Sequence, residues 1–372
     1  MELPSFLPGY VMLDLKSLFS GSRHLVGLDI GSSSLKLAEV VEAPKGGYIL
    51  NHFSQLSLPR GIIVDGTIND PSLLTAKVKE LFKTSGNRRK GIVTSLSGHS
   101  VIIKKIDFPT MEEEEMREMI REDAAQYLPF DNMEEVNFDF QILGENEYNP
   151  SQMEVLLVAA RKDIIDSYTG ALRAAGLDVV IMDVDSFALE TVYEENYDFE
   201  ENDIVALINI GASITNINVV KTDTSIFTRD FTLGGNKVTE SLADKLGIAF
   251  DEAERIKIEG PAGGNEFERN EFRMSLIEHA DPICAEIERS IEFFRSTSGG
   301  DYIKSVLLSG GGAKLPGIVE DLQQRLGIDT EIINPFRKIT INDKSVDASL
   351  VEQMGPALAV SIGLALRRVG DK

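Results

Sequence analysis

Hydrophobic residues follow two different periods along the chain, and these periods predict β-strands and α-helices in alternation. Short apolar or alternating runs, such as residues 25–30 and 204–210, predict strands, and both runs end at a glycine turn. Spacings of three and four residues predict helices, such as residues 71–84, where Asp70 is the expected cap and Pro71 lies in the first turn. Strands followed by helices in this way, over 372 residues, predict an α/β protein with two domains.

The first glycine turn joins two strands within residues 25–41 and carries residues that suit an anion. Backbone N–H groups and serine hydroxyls at such a tip bind phosphate well. Asp29 would face that anion, which is favourable only with a cation between them, so Asp29 indicates a magnesium-type ion held through water. A hairpin of this composition also occurs for turn geometry alone, and that alternative stays open. The residues predicted to contact phosphate here are Gly31, Ser32, Ser33, Ser34 and Lys36.

Two further glycine turns follow later in the chain. Residues 209–213 separate a strand from a second, alternating strand at 214–220, so the strand–turn–strand arrangement occurs twice. A buried strand at 306–309 runs into three glycines before a helical pattern, and glycines there let the backbone approach a large flat group such as an adenine ring. The residues concerned are Gly211, Ala212 and Ser213 in the second turn, and Gly310, Gly311, Gly312 and Lys314 in the third.

The middle of the chain, residues 99–183, has an alternation of its own. It predicts the order strand, helix, strand, strand, helix, strand, which is sufficient for a small α+β subdomain. Thr110 and Glu113 form a capping box for the first of these helices, and Asp163 is the expected cap of the second. Later in the chain Asp251 is expected to cap a short helix, residues 259–270 read as a mobile loop, and a core helix is expected at 282–298.

Composition excludes several classes of protein. Sixty acidic against 37 basic residues give a net charge of −23, which argues against nucleic-acid binding and against charge-driven binding to anionic lipid. Cys284 is the single cysteine, which leaves no disulfide framework and fits a reducing cytoplasm. The sequence predicts no membrane-spanning segment. Residues 1–24 do not resemble a secretory signal, and a short amphipathic helix at 11–19 is either a loosely docked tail or a contact to a membrane or partner.

On its three glycine turns the chain resembles the actin-like ATPase superfamily, which includes actin, the heat-shock chaperones, sugar kinases and the division protein FtsA. The resemblance implies an actin-like (ribonuclease H-like) fold that binds ATP and Mg²⁺, with two hairpins at the phosphates and the third turn at the adenosine. It also implies that Glu254 and Lys257 reach the ribose and the adenine, although an exposed helix pair is the alternative. Asp29 and Asn209 would hold the water shell of the metal.

The same resemblance implies a division of the chain. Residues 1–24 would be a tail, and 99–183 an FtsA-type inserted α+β subdomain. The second actin-like domain would span 203–344, with a helical part at about 236–300. The first actin-like domain would then combine 25–98, 184–202 and 345–372.

Within the superfamily the chain most resembles the PilM family of type IV pilus assembly. This implies an ATP-binding scaffold at the cytoplasmic face of the inner membrane that binds the N-terminal tail of a PilN-like protein, which pairs with PilO. Contact with the pilus motor ATPases and self-association are further expectations. The partner groove should lie between the first domain and the inserted subdomain. The segments that carry the resemblance are 27–37, 128–131, 209–213 with 216–218, 234–235 and 355–359.

Catalytic superfamily members place one acid on each hairpin, whereas this chain has Asp29 on the first and Asn209 on the second. Asparagine adds no charge and cannot act as a base, so we expect ATP binding with at most slow hydrolysis. The nucleotide would then set the angle between the domains rather than drive turnover. An FtsA-like filament protein and a phosphotransferase of the sugar-kinase type are the alternatives. Asp183 and Asp185, near the crossover between domains, read as structural.

Overall fold

The computed structural model describes residues 25–371, except 131, 147–148, 262–265 and 343–345. The tail at 1–24, with the helix predicted at 11–19, lies outside the described residues, as does Asp131 of the segment 128–131. Two helices pack between two large sheets. A third, smaller sheet is formed by a chain segment that lies between two strands of the first sheet in the sequence.

The first sheet has six strands and is mixed, because β1 pairs antiparallel with β2 and parallel with β6. Side by side, its strands are β10 (Asp178–Val184), β6 (Gly91–Leu96), β1 (Val26–Ile30), β2 (Ser34–Glu42), β3 (Tyr48–Ser57) and β16 (Ile339–Ile341). A short hairpin, β4 (Ile63–Val64) and β5 (Thr67–Ile68), and the helices α1 (Pro71–Ser85) and α3 (Lys162–Ala174) complete its outer core. The predicted cap is confirmed, since Asp70 accepts a hydrogen bond from the Leu73 N–H at 2.9 Å.

The second sheet has five strands and its own helical layer. In order they are β13 (Thr224–Phe231), β12 (Thr215–Lys221), β11 (Ile204–Ile210), β14 (Ser305–Ser309) and β15 (Asp329–Ile332). One face packs on helices α5 (Gly235–Leu246), α6 (Phe250–Glu259), α7 (Glu266–Thr297) and α8 (Ile318–Leu326). The other face packs on α4 (Asp185–Asn196) and α9 (Ala348–Leu366), which also contact the first sheet.

The inserted unit is smaller than the sequence predicts. Its sheet has the order β7 (Val101–Pro109), β9 (Asn149–Arg161) and β8 (Val136–Asn146), with α2 (Glu113–Tyr127) on one face. The prediction that the last strand and second helix of segment 99–183 belong to this unit is wrong. Strand β10 pairs in parallel with β6 in the first sheet, and α3 packs beside α1. Strand pairing is decided by partners far away in sequence, which local alternation does not reveal.

Three predicted helix starts are also wrong. The Thr110 hydroxyl donates to the Pro150 carbonyl oxygen at 3.5 Å rather than capping α2. Asp163 and Asp251 each lie one residue inside their helices instead of at the cap, where acidic groups still favour the N-terminal turn. Part of the predicted loop at 259–270 is helical, because α7 begins at Glu266 and continues through Pro282. The apolar stripe of α7 is buried both before and after Pro282, and this burial keeps the helix continuous across the proline.

Helix α9 is long and apolar enough to cross a membrane by length and composition, but 61% of that segment is buried inside the protein. Its packing explains the small residues. A Cβ on Gly363 would lie 1.8 Å from the Ala188 carbonyl oxygen of α4, and a Cβ on Gly27 would lie 2.2 Å from the Ser361 carbonyl oxygen. Glycine therefore lets α9 approach both α4 and β1 closely, and α9 is a core helix between the two large sheets.

Candidate functional site

A cavity of about 500 Å³ lies between the two large sheets, where the β1–β2 and β11–β12 turns face each other. Every residue that the sequence predicts at phosphate, metal or adenosine lines this cavity. From the first sheet these are Asp29, Gly31, Ser32, Ser33, Ser34 and Lys36. From the second half of the chain they are Asn209, Gly211, Ala212, Ser213, Glu254, Lys257, Gly310, Gly311, Gly312 and Lys314. We call it the interdomain cavity.

The first hairpin carries a charged pair. Asp29 and Lys36 are opposite each other in the antiparallel β1–β2 register, and Lys36 Nζ donates to Asp29 Oδ2 at 2.7 Å. The Gly31 N–H donates to the Ser34 carbonyl oxygen at 3.1 Å and closes the turn. Asp29 is 6% exposed, so Lys36 compensates a largely desolvated carboxylate.

The second hairpin repeats this geometry with neutral residues. Asn209 is opposite Asn216, whose side-chain oxygen accepts a hydrogen bond from Asn209 Nδ2 at 3.0 Å. The Gly211 N–H donates to the Ile214 carbonyl oxygen at 2.9 Å, as Gly31 does to Ser34. Asn216 also lines the cavity, and its buried Nδ2 has no hydrogen-bond partner among the described residues. Sequence reasoning assigned no separate role to Asn216, because its partner is defined only by the strand register.

The N-terminus of α5 holds the second hairpin in place. Gly235 and Asn236 donate their backbone N–H groups to the carbonyl oxygens of Gly211 and Ala212, at 2.9 and 2.8 Å. A Cβ on Gly234 would lie 2.5 Å from the Gly211 oxygen, so this approach requires glycine. The positive end of α5 therefore lies at the cavity wall, where it favours an anion.

The three glycines of the third turn have different tasks. Gly310 has a φ of +84°, and a Cβ there would lie 2.3 Å from the Ile210 carbonyl oxygen. A Cβ on Gly312 would lie 2.3 Å from Ile210 Cγ2. These two glycines allow the turn to pack on the end of β11. Gly311 differs from them, because a Cβ added to it would meet no described atom within 4 Å, so it borders open space in the cavity.

Glu254 and Lys257 line the cavity and also bind each other, with 2.7 Å between Lys257 Nζ and Glu254 Oε2. Lys257 further donates to the Gly235 carbonyl oxygen at 3.1 Å and to the Thr239 hydroxyl at 2.8 Å. The pair thus fixes α6 against the start of α5. The sequence left two roles open for Glu254 and Lys257, an ion pair on one helix or contact with the ribose and adenine. The two roles are compatible, since the paired residues also form part of the cavity wall.

Asp185 is a cavity residue, although its position in the sequence indicated a structural role. It begins α4, lines the cavity, and accepts a hydrogen bond from Ser95 Oγ at 2.5 Å. Burial, and then the charge of Asp29, raise its pKa to about 7. Asp183, for which the sequence also indicated a structural role, pairs with Arg367 at 2.7 Å, and both residues line a second cavity described below. The signal for Asp185 was its place just after β10, because carboxyl ends of neighbouring parallel strands meet at one edge of a sheet.

Among the described residues no three His, Cys, Asp or Glu side chains are grouped so that they could hold a metal ion directly. The cavity is lined instead by the carboxylates of Asp29, Asp185 and Glu254 and by the neutral amide of Asn209. Such a set suits an ion that keeps much of its water and is bound chiefly by phosphate oxygens, as Mg²⁺ commonly is.

A second cavity of about 450 Å³, which we call the groove, separates the inserted sheet from the first sheet. One wall is the face of β8 and β9 that α2 leaves uncovered, including Gln141, Leu143, Leu156 and Val158. The other wall comes from β10, from α4 through Phe187, Glu190, Thr191 and Glu194, and from residues 367–371. Since two unconnected elements form it, no local sequence pattern identifies it.

Comparisons with known proteins agree on the fold. A family model described as type IV pilus assembly protein PilM matches residues 27–369. A chain of a PilM–PilN type IV pilus biogenesis complex superimposes with a TM-score of 0.81 at 30% identity, covering 94% of this chain and 99% of that chain. The ethanolamine utilization protein EutJ from Carboxydothermus hydrogenoformans shares the fold at a TM-score of 0.54 and 17% identity, covering 92% of this chain and 89% of that chain.

The cell division protein FtsA of Enterococcus hirae is 24% identical in an alignment 377 residues long, which covers 88% of this chain and 84% of that protein. The FtsA of Bacillus subtilis is 25% identical over 350 residues, 83% of this chain and 78% of that protein. The predicted actin-like fold and the predicted resemblance to PilM and to the FtsA-like branch are confirmed.

Proposed function

This chain belongs to the PilM family of type IV pilus assembly proteins, and we propose that it is an ATP-binding scaffold that binds the cytoplasmic tail of a PilN-like inner-membrane protein. The nucleotide half of the proposal rests on the two hairpins, β1–β2 and β11–β12. Their strands pair with the same spacing, and both glycine turns line one cavity. The similarity to a chain of a PilM–PilN complex supports the partner half.

The cavity fits ATP in its chemistry. The two glycine turns and Lys36 offer donors for phosphates, and Lys36 and the positive end of α5 favour their negative charge. Gly311 leaves open space at the opposite wall for a flat base. A bound Mg²⁺ would neutralise part of the phosphate charge, and Asp29 and Asn209 are the residues that would hold its water shell. Lys36 at present neutralises Asp29, and we expect it to be shared with the phosphates.

The groove fits an extended apolar peptide with charged flanks. Its sheet wall is apolar at Leu143, Leu156 and Val158, and ionisable side chains surround it. We assign the tail of the PilN-like protein to this groove, because grooves with apolar walls commonly bind peptides through their apolar anchor side chains. The protein would accordingly lie at the cytoplasmic face of the inner membrane, held there by its partner and the PilO-type protein with which that partner pairs. Contact with pilus motor ATPases and self-association would use other surfaces.

We expect slow hydrolysis at most. Asn209 stands where a second acid would orient the attacking water, although Asp185 offers a carboxyl on the other side of the cavity. Asp185 is also the one observation that favours the phosphotransferase alternative, since such an enzyme needs a base with a pKa near neutrality. Phosphate transfer from ATP to a panel of sugars, at rates well above hydrolysis, would support that alternative and contradict the scaffold.

Calorimetric titration of Mg-ATP into the purified protein tests the nucleotide half. A Cβ on Gly311 meets no described atom within 4 Å, so Gly311→Leu would place a side chain in the open space of the cavity. We expect ATP affinity to fall by about tenfold or more, the effect of blocking a preformed ligand pocket. Gly170→Leu is the matched control, because Gly170 is an exposed glycine of α3 that also has open space around it. Wild-type protein that binds no ATP would contradict the proposal.

Titration of a synthetic peptide with the sequence of the PilN N-terminal tail from the same genome tests the partner half. Leu143→Asp places a charge on the apolar wall of the groove, and binding should weaken by about tenfold. Ile103→Asp is the control, because Ile103 is similarly half-buried and opposes Val158 in the sheet register but does not line the groove. Equal loss in both variants would place the peptide elsewhere.

A further inference from the structure

The carboxyl end of strand β6 meets those of its two neighbours at the interdomain cavity. Strand β6 lies between β10 and β1 and pairs in parallel with both. Parallel neighbours bring their carboxyl ends to one edge of the sheet. The residues that follow these three ends are Ser97 after β6, Asp185 after β10 and Gly31 after β1, and all three line the cavity. Ser97 therefore lies between a carboxylate and the first glycine turn.

The second half of the chain contacts the residue after Ser97. The Gly98 N–H donates to Asp230 Oδ2 of β13 at 2.6 Å. A Cβ on Gly98, whose φ is +67°, would lie 2.8 Å from Cδ1 of Ile214, which stands between β11 and β12. Glycine thus lets the chain after Ser97 pack against the second hairpin. Ser97 is consequently held beside both of the turns that we propose to bind phosphates.

The Ser97 hydroxyl is hydrogen-bonded to the Asp185 carboxylate. The same carboxylate accepts a hydrogen bond from Ser95 Oγ at 2.5 Å, and Ser95 is buried, which fixes the orientation of Asp185. A hydroxyl bonded to a base that a third group orients is the usual arrangement of an activated serine. Because burial raises the pKa of Asp185 to about 7, its carboxylate can take up a proton near neutral pH.

Other hydroxyls that line the cavity are placed differently. Ser213 Oγ accepts a hydrogen bond from Asn236 Nδ2 at 3.0 Å, and the Tyr168 hydroxyl donates to a backbone carbonyl oxygen at 3.0 Å. Burial also raises the pKa of Tyr168, which disfavours its ionised form. The serines of the first glycine turn would themselves hold the phosphates. Ser97 combines a place at the cavity with a bond to a carboxylate.

We propose that Ser97 accepts the γ-phosphoryl group of ATP in the interdomain cavity, so that the protein phosphorylates itself at this serine. Ser97 Oγ forms the new bond to the γ-phosphorus, while the bond from that phosphorus to the β–γ bridging oxygen breaks. The hydroxyl proton passes to Asp185, and ADP leaves with the electron pair of the broken bond. The inference rests on the proposed function, because ATP must occupy the same cavity. The step uses no water, so it is compatible with slow hydrolysis.

The test is incubation of the full chain with Mg-ATP, followed by phosphopeptide mass spectrometry. In wild-type protein we expect phosphate on Ser97. Asp185→Asn should slow its incorporation by about 100-fold or more, the usual contribution of a general base. Ser100→Ala is the matched control and should incorporate phosphate like the wild type. Ser100 is a buried serine of the same segment that bonds the Gly66 carbonyl oxygen at 3.3 Å and does not line the cavity.

A second measurement needs no nucleotide. Ser97→Ala removes a hydrogen bond that stabilises the ionised form of Asp185, so the pKa of Asp185 should rise further. Asp29 and Asp230, whose charges also raise this pKa, are unchanged in the variant. The decline in the free energy of unfolding that Asp185 causes ends near pH 7 in the wild type and should continue to a pH about one unit higher in Ser97→Ala. Chemical denaturation as a function of pH measures the shift.

Each outcome has a separate meaning. Wild-type protein that binds no Mg-ATP in calorimetry overturns the proposed function and this inference with it. ATP binding without phosphate on Ser97 overturns the inference alone, as does phosphate found on another residue instead. The position of the phosphate in the wild type decides this even if Ser97→Ala does not fold. An unshifted pH profile in a folded Ser97→Ala, or equal incorporation in Asp185→Asn, overturns the role of Asp185 as the base.

Discussion

The two hairpins that face the interdomain cavity share one backbone geometry and differ in charge. In each, two side chains seven residues apart meet across the strands, and the turn glycine bonds the fourth residue of the turn. The first pair is Asp29 with Lys36, whereas the second is Asn209 with Asn216. The repeated backbone supplies anion-binding N–H groups on both sides, but only one side supplies charge. We therefore expect this protein to bind a nucleotide and to hydrolyse it slowly at most.

The largest expected effect comes from removing the cation of the charged hairpin. Lys36→Ala leaves the nearly buried Asp29 carboxylate unpaired and facing the phosphates, so we expect Mg-ATP affinity to fall by roughly 100-fold. Calorimetry measures the affinity, with Lys45→Ala as a control in the exposed turn between β2 and β3. A fall in Mg-ATP affinity of less than threefold would mean that the charge of the first hairpin contributes little to nucleotide binding.

Giving the neutral hairpin an acid should change the chemistry more than the binding. Asn209→Asp places a second carboxylate across the cavity from Asp29, and we expect steady-state phosphate release to rise by about tenfold. Asn216→Asp adds the same charge one strand away and serves as the control. Unchanged turnover in Asn209→Asp with ATP binding retained would show that Asn209 is not what limits hydrolysis.

Asp185 is a buried residue of the same cavity as Asp29, and its burial, followed by the charge of Asp29, should appear in the pH dependence of stability. The pKa of Asp185 rises in the fold from 3.8 to about 7, so the stability it contributes is present below pH 4 and is lost as the pH rises through 7. Asp185→Asn carries no charge and can still accept the Ser95 hydrogen bond. Compared with that of the wild type, its free energy of unfolding should therefore rise between pH 4 and 7, by roughly 4 kcal/mol in total, and the difference should stay constant above pH 7.

Chemical denaturation across this pH range measures the difference. Asp163→Asn is the control, because Arg161 lowers the pKa of Asp163 at the protein surface, and this variant should lose a little stability with rising pH rather than gain it. A constant difference in unfolding free energy between wild type and Asp185→Asn at all pH values would contradict the raised pKa of Asp185.

The smallest effect is expected in the neutral pair itself. Asn216→Ala removes one amide hydrogen bond and a donor that has no partner among the described residues. Because no charge is lost, ATP affinity should fall by about threefold or less, the value of a neutral hydrogen bond. The comparison with Lys36→Ala in the same titration is the control. A loss as large as that of Lys36→Ala would show that Asn216 contacts the ligand more strongly than its neutral character indicates.

Local features of the sequence were sufficient to predict the three glycine turns. They were insufficient to predict the features that depend on contacts between distant segments. Gly31 and Gly211 lie in hairpins whose two strands are neighbours in the sequence, and Gly311 lies in a short run of glycines after β14, so each turn is visible locally. All the predicted contact residues line one cavity. Asp185 was missed because its position depends on the parallel pairing of β10 with β6, which are far apart in the chain. The size of the inserted unit was wrong for the same reason, and the groove could not be assigned because its walls come from separate elements.

A crystal structure of the protein with Mg-AMP-PNP and the PilN tail peptide would test both binding assignments at once. We predict phosphates between the Gly31–Ser34 and Gly211–Ser213 turns, and the peptide between the β8–β9 face and helix α4. A nucleotide bound away from these turns, or a peptide on another surface with the groove empty, would contradict the proposed scaffold.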